Sequence, residues 1–192
     1  MKALVIEAVH YENSTHTECL NTLTAAMDRM DWEAEVVSAA DLHIEYCVGC
    51  GNCTYKTPGV CSFRDDMQSL YPKIIQADLL LTFSPVLFGC LHWRVKKVLD
   101  RMLPIIAPRY VIRNGELHHQ RRYPHRQLYA AVGLLPSEDR EQASIFTDLI
   151  QRSTINMDAQ AGGSLVIREN EGMDAARRRI IEFVDEIGGL YV

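Results

Sequence analysis

The run Leu79-Leu80-Leu81-Thr82-Phe83 carries almost no polar side chain over five residues. Side chains of a strand point alternately to its two faces, so such a run needs cover on both. Helices packed on each side of a parallel sheet supply that cover. Ala3 to Ile6 and Leu128 to Val132 repeat the pattern, and Glu33 to Val37 and Ser164 to Ile167 read as two further strands. Between them apolar residues recur at helical spacing: Leu20, Leu23, Ala26, Met27 and Met30, then Met67, Leu70, Tyr71, Ile74 and Ile75. Leu91, Val95, Val98, Leu99 and Met102 mark another helix, Glu138 to Thr154 a fourth, and Ala176, Ile180, Phe183, Val184 and Ile187 the last. Strands alternating with helices predict an α/β three-layer sandwich around a five-stranded parallel sheet, a single domain over residues 1–192.

The rhythm breaks at residues 103–127. There the segment "RYVIRNGELHH" has the Asn-Gly signature of a tight hairpin, which makes this stretch an inserted arm. Its apolar start, Leu103, Ile105, Ile106 and Ala107, is costly to expose, and this predicts a subunit contact in a homodimer or homotetramer. His118, His119 and His125 lie in the arm among Arg121, Arg122 and Arg126, where a solvated or subunit-contacting hairpin is expected rather than a metal site.

Apolar residues make up 47% of the chain and charged residues 23%, the balance of an ordinary water-soluble protein. A net charge of −5 without a basic block argues against nucleic acid as a partner. No apolar run reaches the ~18 residues of a membrane span. Met1 to Ile6 reads as a first strand rather than an export signal, so the expected compartment is the reducing cytoplasm, where stable disulfides are rare.

In a parallel sheet, ligands sit outside the carboxyl ends of the strands, which singles out the loops 7–17, 38–63, 84–90 and 133–137. One of them holds four of the six cysteines: Cys47, Cys50, Cys53 and Cys61, spaced C-x2-C-x2-C-x7-C among glycines. Three thiolates at intervals of three can wrap one corner of a cubane and a later cysteine can close it, as four-cysteine ligation of a [4Fe–4S] cluster requires. Zinc more often takes two separated C-x2-C pairs. Zinc and free or reversibly oxidised thiols stand as the alternatives. Cys19 and Cys90 are expected to be buried packing residues.

"CVGCGNC…GVCSFRDDM", followed after a helix by "ADLLLTFSPVLFGCLHWRVKKVLDR", resembles the NAD(P)H-dependent FMN reductase-like branch of the flavodoxin-like proteins, and more narrowly the iron–sulfur flavoproteins. The resemblance implies a flavodoxin-like fold, bound FMN, a [4Fe–4S] cluster held by Cys47, Cys50, Cys53 and Cys61, and assembly as dimers or tetramers. It lays Ser84, Pro85, Val86, Leu87, Phe88 and Gly89 along the flavin ring, with main-chain N–H groups within reach of N5 and O4 and Gly89 permitting close approach. The FMN phosphate belongs at the mouth of the first helix, among His10, Ser14, Thr15, His16 and Thr17, although Glu12 stands where a positive charge is common. Gly133 falls in a third loop that is glycine-rich in the family. Here it reads Gly133-Leu134-Leu135-Pro136, which narrows the space for a nicotinamide.

Two functional readings follow. In the first, the chain is an FMN-dependent oxidoreductase, an iron–sulfur flavoprotein that transfers electrons to or from a redox partner such as a ferredoxin, or takes them from NAD(P)H. In the second, it is a non-enzymatic redox-sensing or zinc-binding module with a degenerate flavin site. No side chain is singled out as a catalytic acid or base; Asp65 and Asp66 read as helix caps.

Overall fold

The structure, a computed structural model, describes residues 1–8 and 14–191, with the backbone alone described at Ser14. In chain order the elements are β1 (Lys2–Glu7), α1 (Ser14–Arg29), β2 (Glu33–Ser38), α2 (Asn52–Tyr55), α3 (Met67–Gln76), β3 (Leu79–Leu87), β4 (Cys90–Leu91) and α4 (Trp93–Asp100). After a turn of 3₁₀ helix come β5 (Ile106–Arg113), β6 (Glu116–Arg121), β7 (Leu128–Leu135), α5 (Arg140–Asn156), β8 (Gly162–Arg168) and α6 (Met173–Gly189). The parallel strands stand in the order β2-β1-β3-β7-β8. Counting those five alone, the order is 2-1-3-4-5, the flavodoxin-like doubly wound sheet, whose switch point lies between β1 and β3.

Strand alternation divides the core. Ala3 and Val5 of β1, Leu79, Leu81 and Phe83 of β3, and Leu128, Ala130, Val132 and Leu134 of β7 pack against α1 and α6. Leu4, Ile6, Leu80, Tyr129 and Ala131 point the other way, onto Met67, Leu70 and Ile74 of α3, Val95 and Val98 of α4, and Phe146 and Ile150 of α5. Three layers result, as the apolar runs require.

One expectation is corrected. Where residues 84–90 were expected to form a loop, β3 runs on to Leu87 and turns through Phe88-Gly89 into β4, with Leu87 opposite Cys90. The last β1 partner of β3 is Phe83, so Pro85 lies past it and its missing N–H removes no bond on that flank. The arm is the expected hairpin, turning at Asn114-Gly115 with φ of 51° and 82°. It folds back on the body: Arg121 and Arg113 bind Asp158, and Arg152 on α5 binds Glu116 at 2.7 Å. Its outer face leaves Ile112 and Leu117, cross-strand partners, 73% and 67% exposed.

Candidate cofactor site

The rim at the carboxyl ends of β1 and β3 is built first from the start of α1. His10 lies outside the described residues, as does the side chain of Ser14. Thr17 is exposed and Thr15 half-buried at the helix mouth. His16 is buried edge-on to Phe83, ring centroids 4.8 Å apart, and so ties the first turn of α1 to the end of β3.

The 84–89 segment is a hairpin with most of its side chains already committed. Ser84 is fully buried; its Oγ donates to the Pro85 carbonyl and accepts from the His92 N–H, both at 2.8 Å. Val86 is in the core. Gly89 is buried and its N–H donates to Gln142 Oε1 at 3.2 Å, so it is not the free donor the sequence suggests. Nor is the space at Gly89 open to a ligand, because an added Cβ would stand 2.5 Å from Ile145 Cγ2 of α5. Gly133 likewise serves packing: a Cβ there would meet Val86 at 2.6 Å and Phe146 at 2.9 Å. What the hairpin presents outward is Leu87, 48% exposed, and Phe88, 92% exposed and held at φ 52°. A bulky residue in that region is strained by ~1–2 kcal/mol. Phe88 is therefore not a core aromatic. It is a large apolar side chain fixed at the rim, and the described residues leave it uncovered.

All four motif cysteines line a single cavity of about 200 Å³, with Gly49 and Gly51 at positive φ between them. None is in a disulfide. Cys53, on the one-turn helix α2, is the most buried, and burial first, then the neighbouring Cys61, Cys47 and Cys50, push its thiol up. Among the described residues, no three Cys, His, Asp or Glu side chains are gathered tightly enough to hold one metal ion. Four thiols on one cavity wall are the donor type a cubane takes, one thiolate for each of its four irons. The donor set therefore fits the cluster. Of the remaining cysteines, Cys19 is buried, its thiol pushed up to about 11 chiefly by burial, while Cys90 is exposed, against expectation.

The cavity wall contains residues the sequence did not single out. Arg101, at the end of α4, is 1% exposed and lines the cavity beside Cys61, Phe63, Tyr110 and His119. Its Nη1 donates to Asp65 Oδ2 and to the Glu45 carbonyl, both at 2.7 Å, and its Nη2 donates to Asp65 Oδ1 at 3.1 Å. Asp65 is thus more than a cap. Its carboxylate accepts from the Glu45 N–H at 3.0 Å and the Met67 N–H at 3.1 Å, which pins the cysteine segment to the start of α3. Burial pushes the Asp65 carboxyl up, but Arg101 and the two backbone donors outweigh it and hold the pKa below the ordinary value. Asp66 accepts from the His43 N–H at 2.7 Å and makes no side-chain bond to the helix it precedes.

The cysteine segment and the 84–89 hairpin are bridged. Tyr46, next to Cys47, sets its ring 6.2 Å from that of Trp93, and Lys97 lies 5.2 Å from both centroids. Trp93 follows His92, whose N–H is bonded to Ser84. A larger cavity of about 320 Å³ lies at the base of the arm. Its polar side chains are occupied: Arg121 and Arg126 bind Asp158, His119 bonds the Ala107 carbonyl and His125 the Ala77 carbonyl.

Several known proteins are similar to this chain. An iron–sulfur flavoprotein of Archaeoglobus fulgidus is 32% identical over 104 residues, 54% of this chain and 46% of that protein. One from Methanocaldococcus jannaschii is 36% identical over 73 residues, 38% of this chain and 37% of that protein. The chain thus spans about half the length, or less, of these curated relatives. Among solved structures, a putative quinone reductase from Klebsiella pneumoniae superposes with a TM-score of 0.71 at 14% identity, covering 97% of this chain and 85% of that one. An FMN-dependent NADH-azoreductase from Bacillus anthracis, in complex with FMN, superposes with a TM-score of 0.64 at 11% identity, covering 100% and 99%. At such identities these two speak for the flavodoxin-like fold alone. No helix among the described residues is long and apolar enough to cross a membrane. Residues 1–120 match the family model described as NADPH-dependent FMN reductase, well over half of the chain, which therefore belongs to that family.

Proposed function

We propose that this chain is an FMN-dependent redox protein of the iron–sulfur flavoprotein kind, with FMN along the β1–β3 rim and a [4Fe–4S] cluster in the cysteine cavity. When bound, FMN supplies two-electron or one-electron chemistry and the cluster one electron at a time, so together they divide an electron pair. One observation carries the reading: four thiols ring one cavity, and that cavity is joined to the candidate flavin hairpin through Tyr46, Trp93 and His92. The family match favours it over a sensing module with a lost flavin site.

Cys47, Cys50, Cys53 and Cys61 would hold the cluster. The exposed Leu87 and Phe88 would cover the flavin ring and keep water from it, while Ser84, Pro85, Val86, Gly89 and Gly133 hold the hairpin in place from beneath. Thr15 and Thr17, with His10 and Ser14, would surround the phosphate at the mouth of α1, where helix N–H groups favour an anion. His16 anchors that turn through Phe83. None of these side chains needs to act as an acid or base. A homo-oligomer joined partly through Ile112 and Leu117, a redox protein such as a ferredoxin as electron partner, and NAD(P)H as an alternative donor complete the proposal.

Anaerobic purification tests it: the visible spectrum and the iron, sulfide and flavin contents should report both groups. Cys50→Ala should lose the iron-dependent absorbance and keep the flavin. Protein that stays colourless after anaerobic reconstitution with iron, sulfide and FMN overturns the proposal. Steady-state NAD(P)H oxidation by loaded protein then distinguishes a reductase from a pure electron carrier.

A further inference from the structure

A buried positive charge stands on the wall of the cysteine cavity, and its surroundings give it a direction. The Asp65 carboxylate accepts four hydrogen bonds, two from Arg101 and two from backbone N–H groups. It lies behind the guanidinium and does not line the cavity, whereas Arg101 does. The side chains of both partners are 1–2% exposed, so water does little to screen them. The guanidinium face also rests 5.2 Å from the centre of the Phe63 ring. Arg101 Nε is buried and has no hydrogen-bond partner among the described residues. An unpartnered N–H of a buried cation is costly unless something else accepts from it.

We propose that Arg101 is a positioning and charge-balancing residue for an anionic sulfur centre in this cavity, with its Nε–H the donor to a sulfur and Asp65 the group that aims it. This rests on the proposed cluster. Four thiolates and four sulfides leave a [4Fe–4S] centre negative in both oxidation states, and reduction adds one more negative charge. A fixed cation at the wall stabilises both forms and favours the reduced one more, so it raises the reduction potential. Removing the arginine alone would strand the Asp65 charge in the interior. The informative variants are therefore Arg101→Met with Asp65→Asn together, Asp65→Asn alone, and Arg101→Lys.

The experiment measures three quantities on anaerobically reconstituted full-length protein: iron retention against a chelator, the cluster potential by spectroelectrochemistry, and the urea midpoint of the metal-free form. The double variant should lose iron about 10–100 times more readily, as removal of outer partners of a metal site does, and should have a lower potential. Asp65→Asn alone leaves the cation less neutralised and should raise the potential even if the metal-free protein is weakened. Arg101→Lys should restore most of the potential without the Nε–H. A merely structural arginine would move the urea midpoint and leave both potentials at the wild-type value, and that result overturns the proposal. Cadmium, whose thiolate absorption needs no iron, separates the two readings. Wild-type protein that takes up cadmium but no iron removes the cluster, and the cadmium affinity of the double variant then decides for or against Arg101. Wild-type protein that takes up neither removes both.

Discussion

Replacing Gly133 by alanine separates two roles for one residue. Its place in a loop that is glycine-rich among similar proteins suggests that it makes room for the flavin; the structure has it making room for its neighbours. Its backbone is not in the left-handed region, so alanine meets no φ penalty there. Carbon atoms in contact settle at ~3.5–4.0 Å, so a methyl at 2.6 Å from Val86 and 2.9 Å from Phe146 is about 1 Å too close to the first and slightly less to the second. Neither neighbour can swing into solvent, since Val86 is 3% exposed and Phe146 0%. Overpacking of this kind costs ~1–3 kcal/mol, and the stiffer unfolded chain returns ~0.4–1 kcal/mol. The net loss is about 0.5–2 kcal/mol, or roughly 2–6 °C in Tm for a chain of this size. Urea unfolding of the FMN-free protein, followed by circular dichroism, should show a lower midpoint at unchanged slope. Adding Phe146→Leu should cost less in the alanine background than in the wild type, because the smaller side chain relieves the contact. A Gly133→Ala protein as stable as wild type but weaker for FMN would refute the packing argument and return this glycine to the flavin.

Other expectations are as direct. Phe88→Asn puts a residue that tolerates positive φ into the two-residue turn before Gly89, so the FMN-free protein should gain ~1 kcal/mol in urea. FMN binding should weaken by ~1 kcal/mol for want of the ring, as read by fluorescence titration, and unchanged FMN affinity would remove Phe88 from the flavin site. The Asp65 pKa is held below its unfolded value, so its contribution to stability is complete above about pH 4 and is lost as pH falls through the folded pKa. Acid titration of the metal-free protein should show a shallower loss of stability in Asp65→Asn below pH 4, and parallel curves would count against the pair. Ile112→Asp with Leu117→Asp should shift the assembly toward monomer by light scattering at unchanged urea midpoint. An unchanged mass would move the subunit contact elsewhere.

The sheet was legible because its strands are nearly pure apolar runs, and its helices because their stripes are regular. What misled were local signals overridden by neighbours. Ser84-Pro85 is a good terminator in isolation, yet β7 continues alongside: Ser84 lies opposite Gly133 and Pro85 opposite Leu134, and the sheet carries the strand on. The apolar start of the arm looked like a surface awaiting a partner. In the fold Leu103, Ile105 and Ile106 help to wall the cavity at the arm's base, Leu103 staying 36% exposed, while Ile112, Leu117 and Tyr110 of the hairpin are more exposed still. A period-two strand cannot announce which face it will show until its partner elements are placed.

That the four motif cysteines share one cavity was legible for a different reason: their spacing is written within fifteen residues. The arginine that stands over it is not, since Asp65 and Arg101 are 36 positions apart and each has an ordinary place in its own element, one before a helix and one after. Energetics makes the pair worth explaining. A buried ion pair can often be exchanged for well-packed apolar residues at no loss of stability, or even a gain of about 1–4 kcal/mol. Holding the segment against α3 therefore does not by itself require charge; Ile44, 3% exposed, already packs that stretch into the core. What an apolar pair could not supply is a cation with a spare N–H on the wall of a cavity ringed by thiols. Arg101 and the four thiols line the same cavity, and the proposed sulfur centre there would give the buried cation a use that an apolar pair lacks.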